Sequence, residues 1–386
     1  MKILIPREVA PGERRVAVTP ETVRRLQAKG FDLYVESGAG EAAGFPDGLY
    51  NAIGASVLPS EQLDWEEASG VLSVQPPSRE VLNRMRPGAL LVGMLAPHGA
   101  QELTEVLNSR TISAIALELL PRISRAQSMD VLSSQANIAG YKAVLLAAAA
   151  LDRYVPMLMT AAGTIQPARA LILGAGVAGL QALATARRLG AVVYVSDVRP
   201  AAKEQVESLG GRFLEPPAEQ ERPSEKGGYA TQASEAFLAA QRTQLAEQLA
   251  LADMVICTAQ VPGRPAPRLL SEDMLDRLRP GSVVVDLAVA QGGNCAGTVP
   301  GQTVIRSGVR LIGADALPSS VPNHASALYA RNVSALMEHL TTDDQGLHLD
   351  LDDPIVDACL LTHAGLCRRN DVVKTEAPLL VTGPSS

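Results

Sequence analysis

The sequence predicts an α/β protein with two doubly wound parallel-sheet domains joined by long helices. Its 386 residues exceed the roughly 100–200 residues that one domain usually holds, so two domains are expected. Two separate series of short apolar runs alternate with helical patterns, which is typical of parallel sheets. Apolar residues make up 47% of the chain and aromatic residues 3%. We therefore expect cores of Leu, Val, Ile and Ala.

The first series of elements covers about 120 residues. Thr19 as N-cap and Pro20 at the first helical position favour the start of its first helix. The predicted strands are 2–5, 32–36, 70–74, 89–95 and 111–117, and the predicted helices are 20–29, 79–85 and 100–108.

A long helix rich in small residues, at 131–154, is expected to connect this series to a second one. A last helix, at 323–340, is expected to cross back. These two helices predict a discontinuous first domain, 1–130 plus 320–386, and a second domain at 131–319. The second series has predicted strands at 169–173, 192–196, 253–258, 282–286 and 309–312, and predicted helices at 177–189, 201–209, 235–250 and 271–277.

Charge and composition exclude several classes of function. The net charge of −7 argues against broad binding to nucleic acid or to anionic membranes, which needs a basic surface. The four cysteines form no CxxC pair and the five histidines have no metal-ligand spacing, so we expect no metal and a reducing compartment. Neither a signal peptide nor a bilayer-spanning stretch is visible. We expect a soluble chain that could still dock on a membrane partner.

Residues 169–197 read RALILGAGVAGLQALATARRLGAVVYVSD. Gly174, Gly176 and Gly179 form a GxGxxG turn between an apolar strand and a small-residue helix, and Asp197 ends the next strand. The first glycine permits the tight turn, the second lets the backbone approach a pyrophosphate, and the third lets helix and strand pack closely. The helix N-terminus would then hold the diphosphate of a dinucleotide. The competing interpretation is a glycine-rich turn without a ligand.

The acid after the second strand predicts which dinucleotide binds. Asp197 can accept hydrogen bonds from the adenosine ribose hydroxyls, and its carboxylate would repel a 2′-phosphate. NAD is therefore favoured over NADP, although Arg199 nearby weakens that preference.

Four other segments are candidates for a site. Residues 121–134 (PRISRAQSMDVLSS) lie at the predicted domain junction and either orient a carboxamide and ribose or simply begin the long helix, capped by Asp130 or Ser128. Residues 6–20 carry three arginines that would suit a carboxylate or phosphate, or would form a solvated loop. The Gly-Gly-Asn run ending at Asn294 resembles a ligand-side loop. Residues 215–233, rich in Pro, Gly and charge, form either a solvated loop or a functional lid.

Nearly the whole chain, to about residue 370, resembles the NAD(H)-binding component of proton-translocating nicotinamide nucleotide transhydrogenase, which is domain I, the first portion of the alpha subunit. It is more distantly similar to alanine dehydrogenase. The segments that carry the resemblance are IPREVAPGERRVAVTPE, RISRAQSMDVLSSQANIAGYKAV, MTAAGTIQPARALILGAGVAGLQALATARRLGAVVYVSDVR, EQVESLGGRF, GGYA and RPGSVVVDLAVAQGGNC.

The resemblance implies a set of site residues. Gly228 and Tyr229 match a mobile loop that closes over the cofactor, whereas Gln260 stands where the family commonly has leucine. Positioning roles in hydride transfer are implied for Arg122, Gln127, Asp130, Ser133 and Tyr229. Nucleotide contacts are implied for Gln127, Ser128, Met129, Asp130, Gly174, Gly176, Val177, Ala178, Gly179, Asp197, Val198, Arg199, Gly228 and Gln260.

Alanine dehydrogenases use a lysine, a histidine and an aspartate for substrate chemistry. Here residues 71–77 contain no lysine, His98 is displaced, and Ala290 replaces the aspartate. Proton transfer to an amino acid needs such groups, whereas hydride transfer between two nicotinamides does not, because the cofactors carry that chemistry.

The resemblance therefore implies direct hydride transfer from NADH on this chain to NADP⁺ on a partner subunit, coupled to proton translocation by a membrane partner. It also implies a homodimer that does not turn over alone and that lies in the cytoplasm, on the inner face of the membrane, through its partner subunits. The alternatives are a stand-alone NAD-dependent alanine dehydrogenase and a non-catalytic NAD-binding module.

Overall fold

The computed structural model describes residues 1–215, 225–226, 229–230, 235–261, 263–341 and 346–374. The chain forms two compact units. Among the described residues, unit 1 comprises Met1–Gln135 and those from Pro318 onwards, and unit 2 comprises those of Ala136–Leu317. The division after Gln135 falls inside the helix Val131–Ala150.

Unit 1 is built on an eight-stranded sheet that is mixed but mainly parallel. Its first six strands along the chain all pair in parallel, and their spatial order is 3-2-1-4-5-6, which is that of a doubly wound nucleotide-binding sheet. The last two strands add to one edge in antiparallel fashion, which the prediction of a purely parallel sheet did not include. In spatial order the strands are Ser56–Leu58, Asp32–Glu36, Lys2–Ile5, Gly70–Leu72, Leu90–Gly93, Ser113–Ala116, Leu360–His363 and Leu366–Cys367.

The helices of unit 1 begin and end for local reasons. At the start of Pro20–Gln27, the Thr22 hydroxyl accepts a hydrogen bond of 2.9 Å from the Thr19 N–H. This helix ends two residues before the predicted Lys29, and Gly30 beyond it takes a left-handed φ of 86°, the usual conformation after a helix end. The α-helices of this unit are Pro20–Gln27, Asp47–Asn51, Arg79–Arg84, Gln101–Ser109, Pro322–His339, Pro354–Cys359 and Asn370–Val373.

Unit 2 is built on a seven-stranded sheet with the same winding. Six strands pair in parallel in the order 3-2-1-4-5-6 by position along the chain, and one antiparallel strand lies at the edge. In spatial order the strands are Arg212–Leu214, Val192–Ser196, Arg169–Leu173, Met254–Cys257, Val283–Asp286, Val309–Gly313 and Thr303–Arg306. The winding reverses between Arg169–Leu173 and Met254–Cys257, and ligands of such sheets bind at that point, beyond the carboxyl ends of the strands.

Helices cover the sheet of unit 2, and its central strands are buried almost throughout, as expected when helices flank both faces. The long helix ends at Ala150 rather than at the predicted Tyr154. Short antiparallel pairs lie at Leu158–Thr160 with Gly163–Ile165 and at Glu225–Lys226 with Tyr229–Ala230. The α-helices are Val131–Ala150, Val177–Arg188, Ala202–Ser208, Glu235–Leu249 and Glu272–Leu275.

Among the residues that the structure describes, no helix combines the length and the apolar character needed to cross a bilayer. Within the same residues, no group of three or more His, Cys, Asp or Glu side chains is placed to hold a metal ion.

Candidate dinucleotide-binding site

The glycine turn of unit 2 follows the strand Arg169–Leu173, at the point where the winding of the sheet reverses. Gly174 has a φ of 103°, a conformation that residues with a Cβ rarely adopt. A Cβ at this position would lie 2.8 Å from Thr258 Oγ1. The Gly174 N–H donates a hydrogen bond of 2.8 Å to the carbonyl oxygen of Ser196, which fixes the turn against the next strand.

The other two glycines differ in what surrounds them. A Cβ on Gly179 would lie 1.8 Å from the carbonyl oxygen of Gly174, whereas a Cβ on Gly176 would meet no protein atom within 4 Å. Gly179 therefore permits close packing of the helix, and Gly176 faces open space as the N-cap of Val177–Arg188. The N–H groups of the first helical turn have no acceptor within the helix and carry its positive dipole end, so this opening can receive a diphosphate.

Val177 and Ala178 form the start of that helix. The Val177 side chain is 37% exposed, as a side chain against a cofactor would be. A Cβ on Gly140, in the helix Val131–Ala150, would lie 2.0 Å from the carbonyl oxygen of Ala178. Gly140 thus lets this helix cross close to the first turn, and no local sequence pattern marks it because the approach is tertiary.

Asp197 follows the strand Val192–Ser196, as predicted, and its side chain is almost fully buried. Its Oδ2 accepts a hydrogen bond of 2.7 Å from the Ala175 N–H, within the glycine turn. Its Oδ1 accepts from the Arg199 N–H at 2.8 Å and from Arg199 Nε at 3.0 Å, while Arg199 Nη2 donates to Oδ2 at 3.0 Å. The carboxylate therefore fastens the turn to the second strand and binds a guanidinium, with Val198 between the two residues.

A second set of hydrogen bonds holds the loop that follows the neighbouring strand Met254–Cys257. Thr258 Oγ1 donates to the carbonyl oxygens of Leu173 and Gly174, at 3.1 and 3.0 Å. The Asn294 side chain, which is fully buried, accepts from the Ala259 N–H at 3.0 Å and donates to the Ala259 carbonyl at 2.8 Å.

These contacts give the Gly-Gly-Asn run a structural role. Asn294 Nδ2 also donates to the Pro267 carbonyl at 2.8 Å, so one amide holds two points of the loop. Gln260, within that loop, is exposed and donates to the Leu287 carbonyl at 2.8 Å. Buried Asp286 holds the following loop by accepting from the Ala288 N–H, the Cys295 N–H and the Thr298 hydroxyl. Cys257 is a fully buried core thiol.

The predicted nicotinamide-side residues lie in unit 1. Asp130 caps the helix Val131–Ala150: its Oδ1 accepts from the Ser133 N–H at 2.9 Å and its Oδ2 accepts from the Ser133 hydroxyl at 2.6 Å. The capping interpretation of Asp130 thus holds, whereas Ser128 does not act as the cap. Ser128 offers its carbonyl oxygen to Asn332 Nδ2 at 2.8 Å.

The neighbours of Asp130 separate into buried and exposed side chains. Met129 is buried in the core of unit 1, so only its main chain could face a nucleotide. The side chains of Arg122 and Gln127 are exposed on the turn that precedes the long helix. Gly228 lies outside the described residues. Tyr229 lies in the two-residue strand Tyr229–Ala230, and its side chain is outside the described part of the chain.

Arg15, one of the three arginines of residues 6–20, does not contribute to the open anion site that was one of the two expectations for this segment. Arg15 is 5% exposed and donates from Nε and Nη2 to the two carboxylate oxygens of Glu13, at 2.8 and 2.6 Å. Its Nη1 donates to Gln135 Oε1 at 2.9 Å. Burial alone would raise the pKa of Glu13, but the hydrogen bonds and charge of Arg15 lower it to about 2. This fork is already bound to a carboxylate of its own chain.

Two partly buried carboxyl groups of unit 1 carry no recognisable sequence signal. Glu8 accepts from the N–H groups of Val74 and Gln75, and burial raises its pKa to about 7 against these hydrogen bonds. Glu118 accepts from the N–H groups of Leu95 and Ala96, and burial raises its pKa as well. Both groups satisfy main-chain donors at the carboxyl ends of strands in unit 1.

A sheet wound in this order, a glycine turn at its reversal point and an acid after the second strand define a dinucleotide-binding α/β protein. The chain belongs to the alanine dehydrogenase/PNT family. The family model described as "Alanine dehydrogenase/PNT, N-terminal domain" matches residues 4–139, and "Alanine dehydrogenase/PNT, C-terminal domain" matches residues 143–370.

The chain has higher sequence identity to relatives named as transhydrogenases than to relatives named as alanine dehydrogenases. The chain is 45% identical over 372 residues to the first portion of NAD(P) transhydrogenase subunit alpha of Rhodospirillum rubrum, covering 95% of this chain and 97% of that protein. The crystal structure of transhydrogenase from Sinorhizobium meliloti superposes with a TM-score of 0.86 at 44% identity, covering 95% of this chain and all of that one. Alanine dehydrogenase of Halomonas elongata is 32% identical over 296 residues, covering 76% of this chain and 74% of that protein.

Gln75, in the segment 71–77 that contains no lysine, and His98 have defined surroundings in unit 1. Gln75 donates from Nε2 to Glu13 at 2.9 Å and carries no charge. Burial lowers the pKa of His98, with the charge of Arg369 acting in the same direction, which favours its neutral form.

Proposed function

We propose that this chain is the NAD(H)-binding subunit of a proton-translocating NAD(P) transhydrogenase. The observation that carries the proposal is the glycine turn at the reversal point of the unit 2 sheet, where Gly176 leaves open space at a helix N-terminus. Its support is the near full-length similarity to a protein named as a transhydrogenase alpha subunit.

The residues present fit a bound dinucleotide. In the proposed complex the first-turn amides of Val177–Arg188 bind the diphosphate, and Asp197 accepts hydrogen bonds from the adenosine ribose. Bound NAD(H) would supply the hydride chemistry, which requires no acid or base from the protein. The chain's contribution is to bind, to orient and to exclude water.

Roles for the remaining site residues are proposed from the family resemblance. Val198, Arg199 and Gln260 are proposed to line the nucleotide with the turn, and Gly228 and Tyr229 to close a loop over it. Positioning roles are proposed for the unit 1 residues Arg122, Gln127, Ser128, Met129, Asp130 and Ser133. We propose that the nucleotide-binding domain comprises residues 131–319.

The proposed partners follow from the same assignment. NADP(H) would bind on a second subunit, proton movement would take place in a membrane-spanning subunit, and the chain would work as a homodimer at the inner face of the membrane. The net charge of −7 favours attachment through protein partners over direct binding to an anionic bilayer.

Reconstitution tests the proposal. Purified chain should bind NADH in a fluorescence titration, and mixing it with an NADP(H)-binding transhydrogenase subunit should give transfer from NADH to an NADP⁺ analogue. The chain alone should give no turnover with NADH, pyruvate and ammonium. Robust turnover of the chain alone with NADH, pyruvate and ammonium would reject the proposal. Absence of transfer from NADH to the NADP⁺ analogue in the mixture with the partner subunit would also reject it.

A further inference from the structure

The carboxylate of Asp197 is fully occupied by donors of its own chain. An ionised carboxylate offers about four lone-pair positions. The Ala175 N–H, the Arg199 N–H, Arg199 Nε and Arg199 Nη2 lie 2.7 to 3.0 Å from its two oxygens. Two of the four donors belong to one guanidinium.

A ribose can therefore be bound by Asp197 only if one of these donors leaves. The Ala175 N–H is fixed by the glycine turn, and the Arg199 N–H is fixed by the main chain two residues from the acid. The Arg199 guanidinium is on a flexible side chain that is 20% exposed. It is the donor pair that ribose hydroxyls can displace.

The same guanidinium changes the charge that a nucleotide meets. A 2′-phosphate is repelled by an isolated carboxylate, but here the opposite charge of Arg199 lies 3.0 Å away. Guanidinium groups also bind phosphate oxygens with two parallel hydrogen bonds. The pair therefore offers a 2′-phosphate less repulsion than Asp197 alone would.

We propose that Arg199 is a specificity-determining residue of the nucleotide site: its guanidinium competes with the ribose hydroxyls for Asp197 and offsets the discrimination of that carboxylate against a 2′-phosphate. This inference rests on the proposed function. It predicts that the preference of the chain for NADH over NADPH is weaker than the preference that Asp197 would give without Arg199 beside it.

The test is nucleotide selectivity in Arg199→Ala and Arg199→Gln, the second of which keeps a polar side chain without the charge. Dissociation constants for NADH and NADPH are measured by fluorescence titration and calorimetry on each full-length variant. The ratio of the NADPH constant to the NADH constant should rise about tenfold in both variants, equivalent to about 1.4 kcal/mol. NADH itself should bind at least as tightly as to the wild type.

The control is Arg310→Ala, which removes an equal charge from the strand Val309–Gly313, next to the opposite edge strand of the same sheet. Arg310 pairs with Asp152 at 3.0 Å, and its loss should leave the ratio unchanged. A purely structural role of Arg199 would weaken both nucleotides together. An unchanged ratio, weaker NADH binding in either variant, or an equal rise in Arg310→Ala overturns the inference. If the wild-type chain binds neither nucleotide, the proposed function itself fails.

Discussion

Two alanine substitutions in the glycine turn separate folding from nucleotide binding. Gly179→Ala places a Cβ 1.8 Å from the Gly174 carbonyl oxygen, so the helix must move by more than an ångström from the turn. Gly176→Ala places a Cβ in open space, at a φ of −74° that alanine adopts readily. The first change damages the protein itself, and the second fills the volume that a diphosphate would need.

The magnitudes follow from these distances. Overpacking of a tight contact costs about 1–3 kcal/mol, and better helix propensity returns only about 1 kcal/mol to Gly179→Ala. Because the 1.8 Å contact is with a main-chain atom, the cost should lie at about 2–3 kcal/mol, the upper part of that range, and we expect Gly179→Ala to lower the free energy of unfolding by about 1–2 kcal/mol. Gly176→Ala should change it by less, within about 1 kcal/mol for an N-cap position, while NADH affinity falls by about tenfold or more, or about 1.4 kcal/mol.

The assays are urea unfolding followed by circular dichroism and NADH titration followed by fluorescence, both at one pH and ionic strength. Wild-type NADH affinity in Gly176→Ala would refute the placement of the diphosphate at this helix. Wild-type stability in Gly179→Ala would refute the packing described for the turn.

Three further predictions use other contacts. Asn294→Ala should lower the free energy of unfolding by about 2–4 kcal/mol, because three hydrogen bonds of the buried amide are lost at about 0.5–1.5 kcal/mol each; urea unfolding measures it. Glu8→Gln should remove one contribution to the pH dependence of the free energy of unfolding. The pKa of Glu8 is raised to about 7 in the folded chain, so the contribution of this group to stability is complete below pH 4.5 and is lost as the pH rises to 7. Asp197→Ala should weaken NADH binding by about 1–3 kcal/mol as measured by calorimetry, because buried hydrogen bonds are lost.

Each of these predictions has an outcome that would contradict it, and the first also has a control variant. The exposed Gln302→Ala should leave the unfolding midpoint unchanged, and an Asn294→Ala variant that matches it would contradict the loop contacts. Parallel pH profiles of the wild type and Glu8→Gln between pH 4.5 and 7 would contradict the raised pKa. Unchanged calorimetric affinity in Asp197→Ala would remove that residue from the site.

The parts of the fold that could be predicted are those that local spacing determines. The glycine turn and the acid at Asp197 lie within one strand–helix–strand unit, so their arrangement follows from residues near in sequence. The central strands were also predicted, because buried strands form continuous apolar runs. Short edge strands such as Ser56–Leu58 and Thr303–Arg306 were not, since three or four partly exposed residues give no distinctive pattern.

The side-chain pairings at the site could not be predicted, because they depend on rotamers or on distant contacts. Arg199 was recognised as a neighbour of Asp197, but nothing in the sequence shows that its guanidinium folds back onto the carboxylate. The Glu13–Arg15 pair is equally local, yet its burial depends on Gln135 and on Ser319, which donates to Glu13 from far along the chain. The close approach of Gly140 to Ala178 is likewise a matter of helix crossing.

Asn294 holds the backbone on both sides of position 260 through contacts that do not involve the Gln260 side chain. The amide anchors the peptide groups of Ala259 and the carbonyl of Pro267, one on each side of Gln260. These two anchor points are held by a residue some thirty positions downstream, and they do not depend on the side chain at position 260. A substitution at position 260 would therefore remove the contact of Gln260 with the Leu287 carbonyl and leave both anchor points in place.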